Sequence, residues 1–297
     1  MTSGQRGFLL LTSHLGNPER RVLPTAQLRL LAGRIRRREP PEEERELEEK
    51  DIVALGFGRD MAKRMVEILS EEELLQLYCH KGEKAQCLPL TWATMGYPQV
   101  LRTRLADESP GCLWCKGDVT LLERPKVALV GSRDLLKRNR GFAMEVGVQA
   151  AKQGYVLVSG NARGADRTAQ QACLDAGGCV ISVVADKLTD KPLQERVLYI
   201  SEDEFDSEFS PQRAISRNRV IHAFGQCVFV AQCNLESGGT WDGTVKNLRG
   251  MWSPVFCFQD SGPALSALQQ MGAEAIETEA LSDIAQFTRR NTGFFEE

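Results

Sequence analysis

The chain has 297 residues, 42% of them hydrophobic and 26% charged, with a formal net charge of −3, a balance that suits one globular domain of ordinary size and a second, small one. A pI near 5.8 excludes a global attraction to nucleic acid, so any anion site has to come from locally clustered arginines. The nine cysteines form no spaced framework and the apolar stretch Phe8 to Leu11 is too short for a signal-peptide core or a membrane span, so neither a disulfide scaffold nor a membrane protein is expected, and the expected compartment is a reducing cytoplasm.

In chain order, residues 1–95 read as a small helical module of the helix-hairpin-helix or SAM-like kind. It carries a basic amphipathic segment (Arg29, Arg34, Arg36, Arg37, Arg38), a Pro40-Pro41 break and an acidic run, Glu42 to Glu49, which reads as a solvated face or linker. The stretch "LGFGRDMAKRMVEIL" places Gly56 and Gly58 ahead of a helix whose Ala62, Met65 and Leu69 share one face. In a helix-hairpin-helix such glycines let a DNA phosphate approach backbone N–H groups, with Arg59 and Lys63 adding charge; the alternative is a glycine turn that only tightens two helices. Cys112-Leu-Trp-Cys115 has metal-ligand spacing, with Cys79, His80 and Cys87 upstream, but the pair straddles two apolar residues and reads as packing, so no metal is expected. His14 and His222 have no neighbours that suggest a triad.

From Lys126 onward short apolar runs alternate with helical patterns: Val127–Val130, a helix near Phe142–Lys152, Val156–Val158, a helix over Asp166–Ala176, then Val180–Val184, Val197–Ile200, Val228–Ala231 and Val255–Phe258. This predicts an α/β domain over residues 96–280, a doubly wound and mostly parallel sheet, with a tail over 281–297. Ligands of such sheets bind beyond the carboxyl ends of the strands, so the loops that follow strands carry the chemistry.

Three loops qualify. In "VALVGSRD", Gly131 turns the backbone, Ser132 offers a hydroxyl and Arg133 can make a forked contact with a phosphate. In "SGNARGADRTAQQA", Gly160 and Gly164 flank Arg163, which supplies the charge that a lysine supplies in an ATPase phosphate loop, and Asp166 can cap the next helix. In "NLESGGTWDGT", Ser237, Gly238, Gly239 and Thr240 lead into a helix start beside Trp241, a candidate stacking platform. Three such loops on one edge point to a phosphate. A further segment, "SPQRAISRNRVIHAF", spreads Arg213, Arg217 and Arg219 around a helix. Arg217 is read as meeting the anion and Asn218 as tying the loops together; the alternative is a surface arginine cluster beside the acidic Glu202–Glu208 run.

The motifs "VGSR", "SGNARGADRTAQ", "RNRVI" and "SGGT", in this order, resemble the DNA-processing protein A (DprA/Smf) family. The likeness runs over residues 97 to 275, counting "GYPQVL", "GCLWCKGD" and "SGPALSALQQMGA". It implies a Rossmann-like domain of the SLOG superfamily that binds single-stranded DNA and hands it to a RecA-type recombinase in uptake or recombination. Single-stranded DNA, a RecA-type recombinase and a second copy of the chain are the partners considered; no membrane, cofactor or catalytic residue is expected. By position, Gly131, Ser132 and Arg133 correspond to the family's phosphate-contacting loop, Arg163 to a basic position of its second loop, and Arg217-Asn218-Arg219 to its Arg-Asn signature. The chain departs from the family at Ala169-Gln170, where most members read Ala-His, and in its "SGGTWDGT" loop, and no winged-helix tail is expected to fit after the last helix. Two rivals share the fold: a sensor of a nucleotide or nucleotide-derived signal, as in phage defence, and a LOG-type nucleotide phosphoribohydrolase with Asp242 as its acid.

Overall fold

The apolar runs after Lys126 are nearly continuous because both faces of the sheet they build are covered, so successive side chains enter opposite layers of core. The computed structural model describes residues 1–37, 46–259 and 263–288. Helices α1 (Ser3–Thr12), α2 (Thr25–Arg36), α3 (Glu49–Ala54), α4 (Arg59–Leu69) and α5 (Glu72–Lys84) come first, followed by β1 (Leu88–Thr91), α6 (Gln99–Leu105) and β2 (Cys112–Gly117). The alternating part then runs β3 (Lys126–Val130), α7 (Lys137–Lys152), β4 (Val156–Ser159), α8 (Ala165–Asp175), β5 (Cys179–Val183), β6 (Val197–Ser201), α9 (Pro211–Ser216), α10 (Asn218–Phe224) and β7 (Val228–Val230). It closes with α11 (Gly238–Gly250), β8 (Val255–Phe258), α12 (Pro263–Gln270), β9 (Glu274–Ile276) and α13 (Ala285–Thr288).

The strands form one sheet in the order β1-β2-β6-β5-β4-β3-β7-β8-β9. All neighbours from β6 to β9 are parallel, whereas β2 runs antiparallel to both β1 and β6. The chain steps outward from β3 to β6, then crosses back to place β7 on the other side of β3, where Ala128 pairs with Val228 and Val130 with Val230. The strand order therefore reverses at β3, and the crevice past the ends of β3 and β7 is the switch point at which open α/β sheets bind ligands.

One core layer takes Val127, Leu129, Leu157, Phe229 and Phe256 with α7, α8 and the N-terminal helices. The other takes Ala128, Val130, Val156, Val158 and Val228 with α6, α10 and α11. The N-terminal helices dock through an aromatic triangle, in which the Trp114 and Phe205 rings are 4.7 Å apart and Tyr78 lies 4.7 Å from Phe205. Beside it the Glu204 carboxylate accepts hydrogen bonds from the Ser13 hydroxyl (2.7 Å) and from the backbone N–H groups of Leu15 and Gly16 (2.8 Å each).

Two limits drawn from the sequence shift. The sheet begins at Leu88, ahead of the 95/96 boundary, because Leu88–Thr91 pairs with Thr91 against Cys112 and Leu88 against Cys115; a four-residue edge strand is too short to show a period. Residues 281–288 are not a loose tail: Leu281, Ile284 and Phe287 are buried, and the Phe287 ring packs 4.5 Å from Phe256. Arg38, the Pro40-Pro41 break, the first part of the acidic run and residues 289–297 lie outside the described residues. No helix among the described residues is long and apolar enough to cross a membrane.

Candidate functional site

A cavity of about 410 Å³ opens at the switch point. It is lined by the turn after β3 (Gly131, Ser132, Arg133, Asp134), by the start of α11 with its preceding residue (Ser237, Gly238, Gly239, Thr240), and by Asp166, Arg217 and Asn218. Pro211, Ala214 and Ile215 of α9 complete it with an apolar wall. The turn after β3 is held by Gln232, two residues past β7: its carbonyl accepts from Ser132 N–H (2.9 Å), its side-chain oxygen accepts from Leu136 N–H (2.9 Å), and its amide donates to Asp134 O (3.0 Å). Asn218 donates to Gly239 O at 2.9 Å and so ties the start of α10 to the start of α11.

The electrostatics rest on unequal arginines. Arg133 is exposed and holds no ion pair among the described residues. Arg217 is 5% exposed; it donates to Gly160 O at 2.8 Å and lies 3.8 Å from the Asp166 carboxylate, and its Nε has no hydrogen-bond partner. Burial pushes the Asp166 carboxyl up from its ordinary value and the Arg217 guanidinium down, while their mutual attraction works against both shifts. Asp166 also accepts from Ala162 N–H at 3.1 Å, so it closes the turn before α8 besides neutralising Arg217. At α11 the extended Ser237 makes no side-chain capping bond, so the first-turn N–H groups stay available, with the helix dipole, for an anion.

The loop after β4 is arranged differently from the sequence expectation. Gly160, Arg163 and Gly164 do not line the cavity. Arg163 reaches across the surface to Asp134 at 2.9 Å, both side chains being mostly exposed. Gly160 leaves the space the Arg217 guanidinium fills, since a Cβ there would stand 1.6 Å from Nη1. Gly164, at φ +86°, passes so close to the first turn that a Cβ would sit 2.4 Å from Arg133 O. These glycines serve the site by bringing its parts together.

Of the arginines near α9 and α10, only Arg217 enters the cavity. Arg213 pairs with Asp203 at 2.7 Å, and Arg219 pairs with the buried Glu202 at 2.8 Å and donates to Glu108 O. Trp241 is half-buried against the second core layer, and Asp242 pairs with Lys246 one turn along α11 and does not line the cavity. Gln170 is buried and hydrogen-bonds the Ser182 hydroxyl of β5, away from the cavity. Cys112 and Cys115 stand three apart on β2, so their side chains leave opposite faces of the sheet, and no cluster of three or more potential metal ligands occurs among the described residues.

In the N-terminal helices, Gly56 (φ +88°) turns α3 into α4, and Arg34 is spent on that hairpin: it donates to Leu55 O at 2.9 Å and stacks 4.7 Å from the Phe57 ring centre. Arg59 and Lys63 are exposed. Sequence reasoning missed Asp134, Asn234, Gln232 and the α9 wall; the one signal for the first three is position, in the loops after β3 and β7 at the reversal of strand order, whereas α9 lies between β6 and α10 and has no such signal.

The model of the family described as DNA recombination-mediator protein A matches residues 89–287. DNA processing protein DprA of Streptococcus pneumoniae is 35% identical over 144 residues, covering 44% of this chain and 50% of that protein; the chain spans about half the length of the curated relatives it matches. The X-ray structure of DNA processing protein A from the same organism superposes with a TM-score of 0.73 at 23% identity, over 97% of this chain and 98% of that one. A Helicobacter pylori DNA processing protein A, characterised for its single-stranded DNA binding mode, superposes with a TM-score of 0.55 at 24% identity over 69% of this chain and 95% of that one.

Proposed function

The chain belongs to the DNA recombination-mediator protein A family, and from that premise we propose that it binds single-stranded DNA through phosphates at the switch-point cavity. The observation that carries this reading is the meeting in one cavity of the exposed Arg133 and the Arg217 Nε, both without a partner among the described residues, and the uncapped start of α11. Such donors hold a phosphate without reading a base, so the binding has little sequence preference. On this reading the protein acts in DNA processing, uptake or recombination in the cytoplasm, and passes the strand to a RecA-type recombinase, as a monomer or as a homodimer.

The same reading makes it a binding protein and not a hydrolase. The acid that a LOG-type reaction would need is Asp242, and its pairing with Lys246 outside the cavity leaves no carboxylate following the glycine loop to face a ribose. Fluorescence titration of labelled single-stranded DNA against duplex, with a panel of nucleotides as competitors, tests the proposal. Tight binding of the single strand and weaker binding of the duplex is the expected result. Tight binding of one mononucleotide with no DNA binding would replace it with the sensor reading.

A further inference from the structure

The side chains lining the switch-point cavity carry no net formal charge, although the cavity is read as a phosphate site. They include two arginines, Arg133 and Arg217, and two aspartates, Asp134 and Asp166. The aspartates do different work. Asp166 is buried and stands 3.8 Å from the buried Arg217, whose charge would be costly there without a counter-ion. Asp134 has no buried charge to offset. Its side chain is 84% exposed at the cavity, directly after Arg133, where a carboxylate repels the anion that the site is read to hold. Its Oδ1 accepts from Arg163 at 2.9 Å, and Arg163 stays outside the cavity although its neighbour Ala162 lines it.

The pair joins two loops whose backbones are pinned. Asp134 N–H donates to the Ser132 hydroxyl (3.2 Å), its carbonyl accepts from the Gln232 side-chain amide (3.0 Å), and the 160–165 loop is fastened to the same turn where Ala165 N–H donates to Ser132 O (3.1 Å). The two side chains, 72% exposed for Arg163 and 84% for Asp134, are the parts free to change partner, and an ion pair so open to water is cheap to exchange. A phosphate at Arg133 lies beside this pair and offers the Arg163 guanidinium a bidentate acceptor. We propose that Asp134 is an acidic brake on phosphate binding: it holds Arg163 outside the cavity and competes with the strand for it, so that affinity is set by the exchange of one guanidinium between a carboxylate and a phosphate. This inference rests on the single-strand reading above and adds the residue that limits its affinity, a limit that suits a protein that passes its strand on.

The test compares Asp134→Asn, Arg163→Ala and the double variant with the parent protein by titration of a labelled single-stranded oligonucleotide over a range of salt. Both side chains are exposed, so melting temperatures should stay unchanged. Asp134→Asn should tighten binding about fivefold and steepen the log–log salt slope by about 0.7, the mark of one further phosphate contact. In the double variant that gain should disappear, and Glu73→Gln, which removes one exposed charge from α5, should stay within about twofold of the parent. Unchanged or weaker binding by Asp134→Asn, or a gain that survives Arg163→Ala or is matched by Glu73→Gln, overturns this inference and leaves single-strand binding standing. No oligonucleotide binding by the parent or by any variant overturns both.

Discussion

Arg133 and Arg163 stand on adjacent loops with the same side chain, yet their surroundings give them different work. Among the described residues Arg133 has no carboxylate to leave before it can meet a phosphate, whereas Arg163 already pairs with Asp134 in the open, an arrangement worth about 0–1 kcal/mol. Arg133→Ala should cost on the order of 1.5–3 kcal/mol of single-stranded DNA affinity and Arg163→Ala under about 1 kcal/mol, read by titration at matched salt. Buried and, among the described residues, without a partner on either ring nitrogen, His222 makes a second residue-scale case. Burial pushes its imidazole down to about 3, while the unfolded chain protonates it near 6.5. Its contribution to stability is therefore complete above about pH 6.5 and is lost as pH falls toward 3, at up to about 1.4 kcal/mol per pH unit. His222→Leu should flatten the fall of unfolding free energy between about pH 6.5 and 4 relative to the parent, measured by urea denaturation.

At the scale of elements, the docking of the N-terminal helices and the building of the cavity are separate tasks. Glu204 gathers donors from Ser13, Leu15 and Gly16 onto one carboxylate beside the Tyr78–Trp114–Phe205 triangle, whose Tyr78 hydroxyl donates to Asp206 at 2.7 Å. Removing that acceptor takes a partner from the buried Ser13 hydroxyl, while Leu15 N–H keeps the Ser13 oxygen at 3.1 Å and Gly16 N–H is exposed, so the loss is that of one buried hydrogen bond, about 1–3 kcal/mol. Glu204→Ala should therefore lower unfolding free energy by about 1–3 kcal/mol and speed proteolysis within α1 and α2, with Glu204→Gln losing less. Single-stranded DNA affinity of the folded protein should not change, because no cavity residue belongs to this network. A loss of affinity in step with the loss of docking would show that the N-terminal helices hold the strand.

For the molecule as a whole, a net charge of −3 and the neutralisation of Arg163, Arg213 and Arg219 by acidic partners predict a modest salt dependence. The log–log slope for single strands runs at about −0.7 per phosphate contacted. Titration from low to moderate salt should give a slope of roughly −1 to −3, and Arg133→Ala should reduce its magnitude by about 0.7. A slope unchanged by that substitution would place the strand elsewhere on the surface.

Local pattern was enough to read β3 through β8, because each is a short apolar run buried on both faces, and enough to expect turns at Gly131–Arg133 and Ser237–Thr240, which line one cavity, because each follows a strand into a helix. It did not reveal β1 or β9, whose short edge runs have no period to detect. The doubly wound order could be expected from the alternation of strands and helices, but the reversal at β3 that makes one cavity from the 131–134 and 237–240 loops is a pairing of segments a hundred residues apart. The sorting of the arginines was likewise tertiary. Arg133, Arg163, Arg213, Arg217 and Arg219 look alike in the chain, and only folding brings Asp134, Asp203 and Glu202 to three of them, buries Arg217 under Gly160 and leaves Arg133 open. Sequence by itself determined which loops turn and where charge is available, since backbone preference and hydrophobic period act over a few residues; the fold decided which charges remain free, since an ion pair depends on distances that only the packed chain sets.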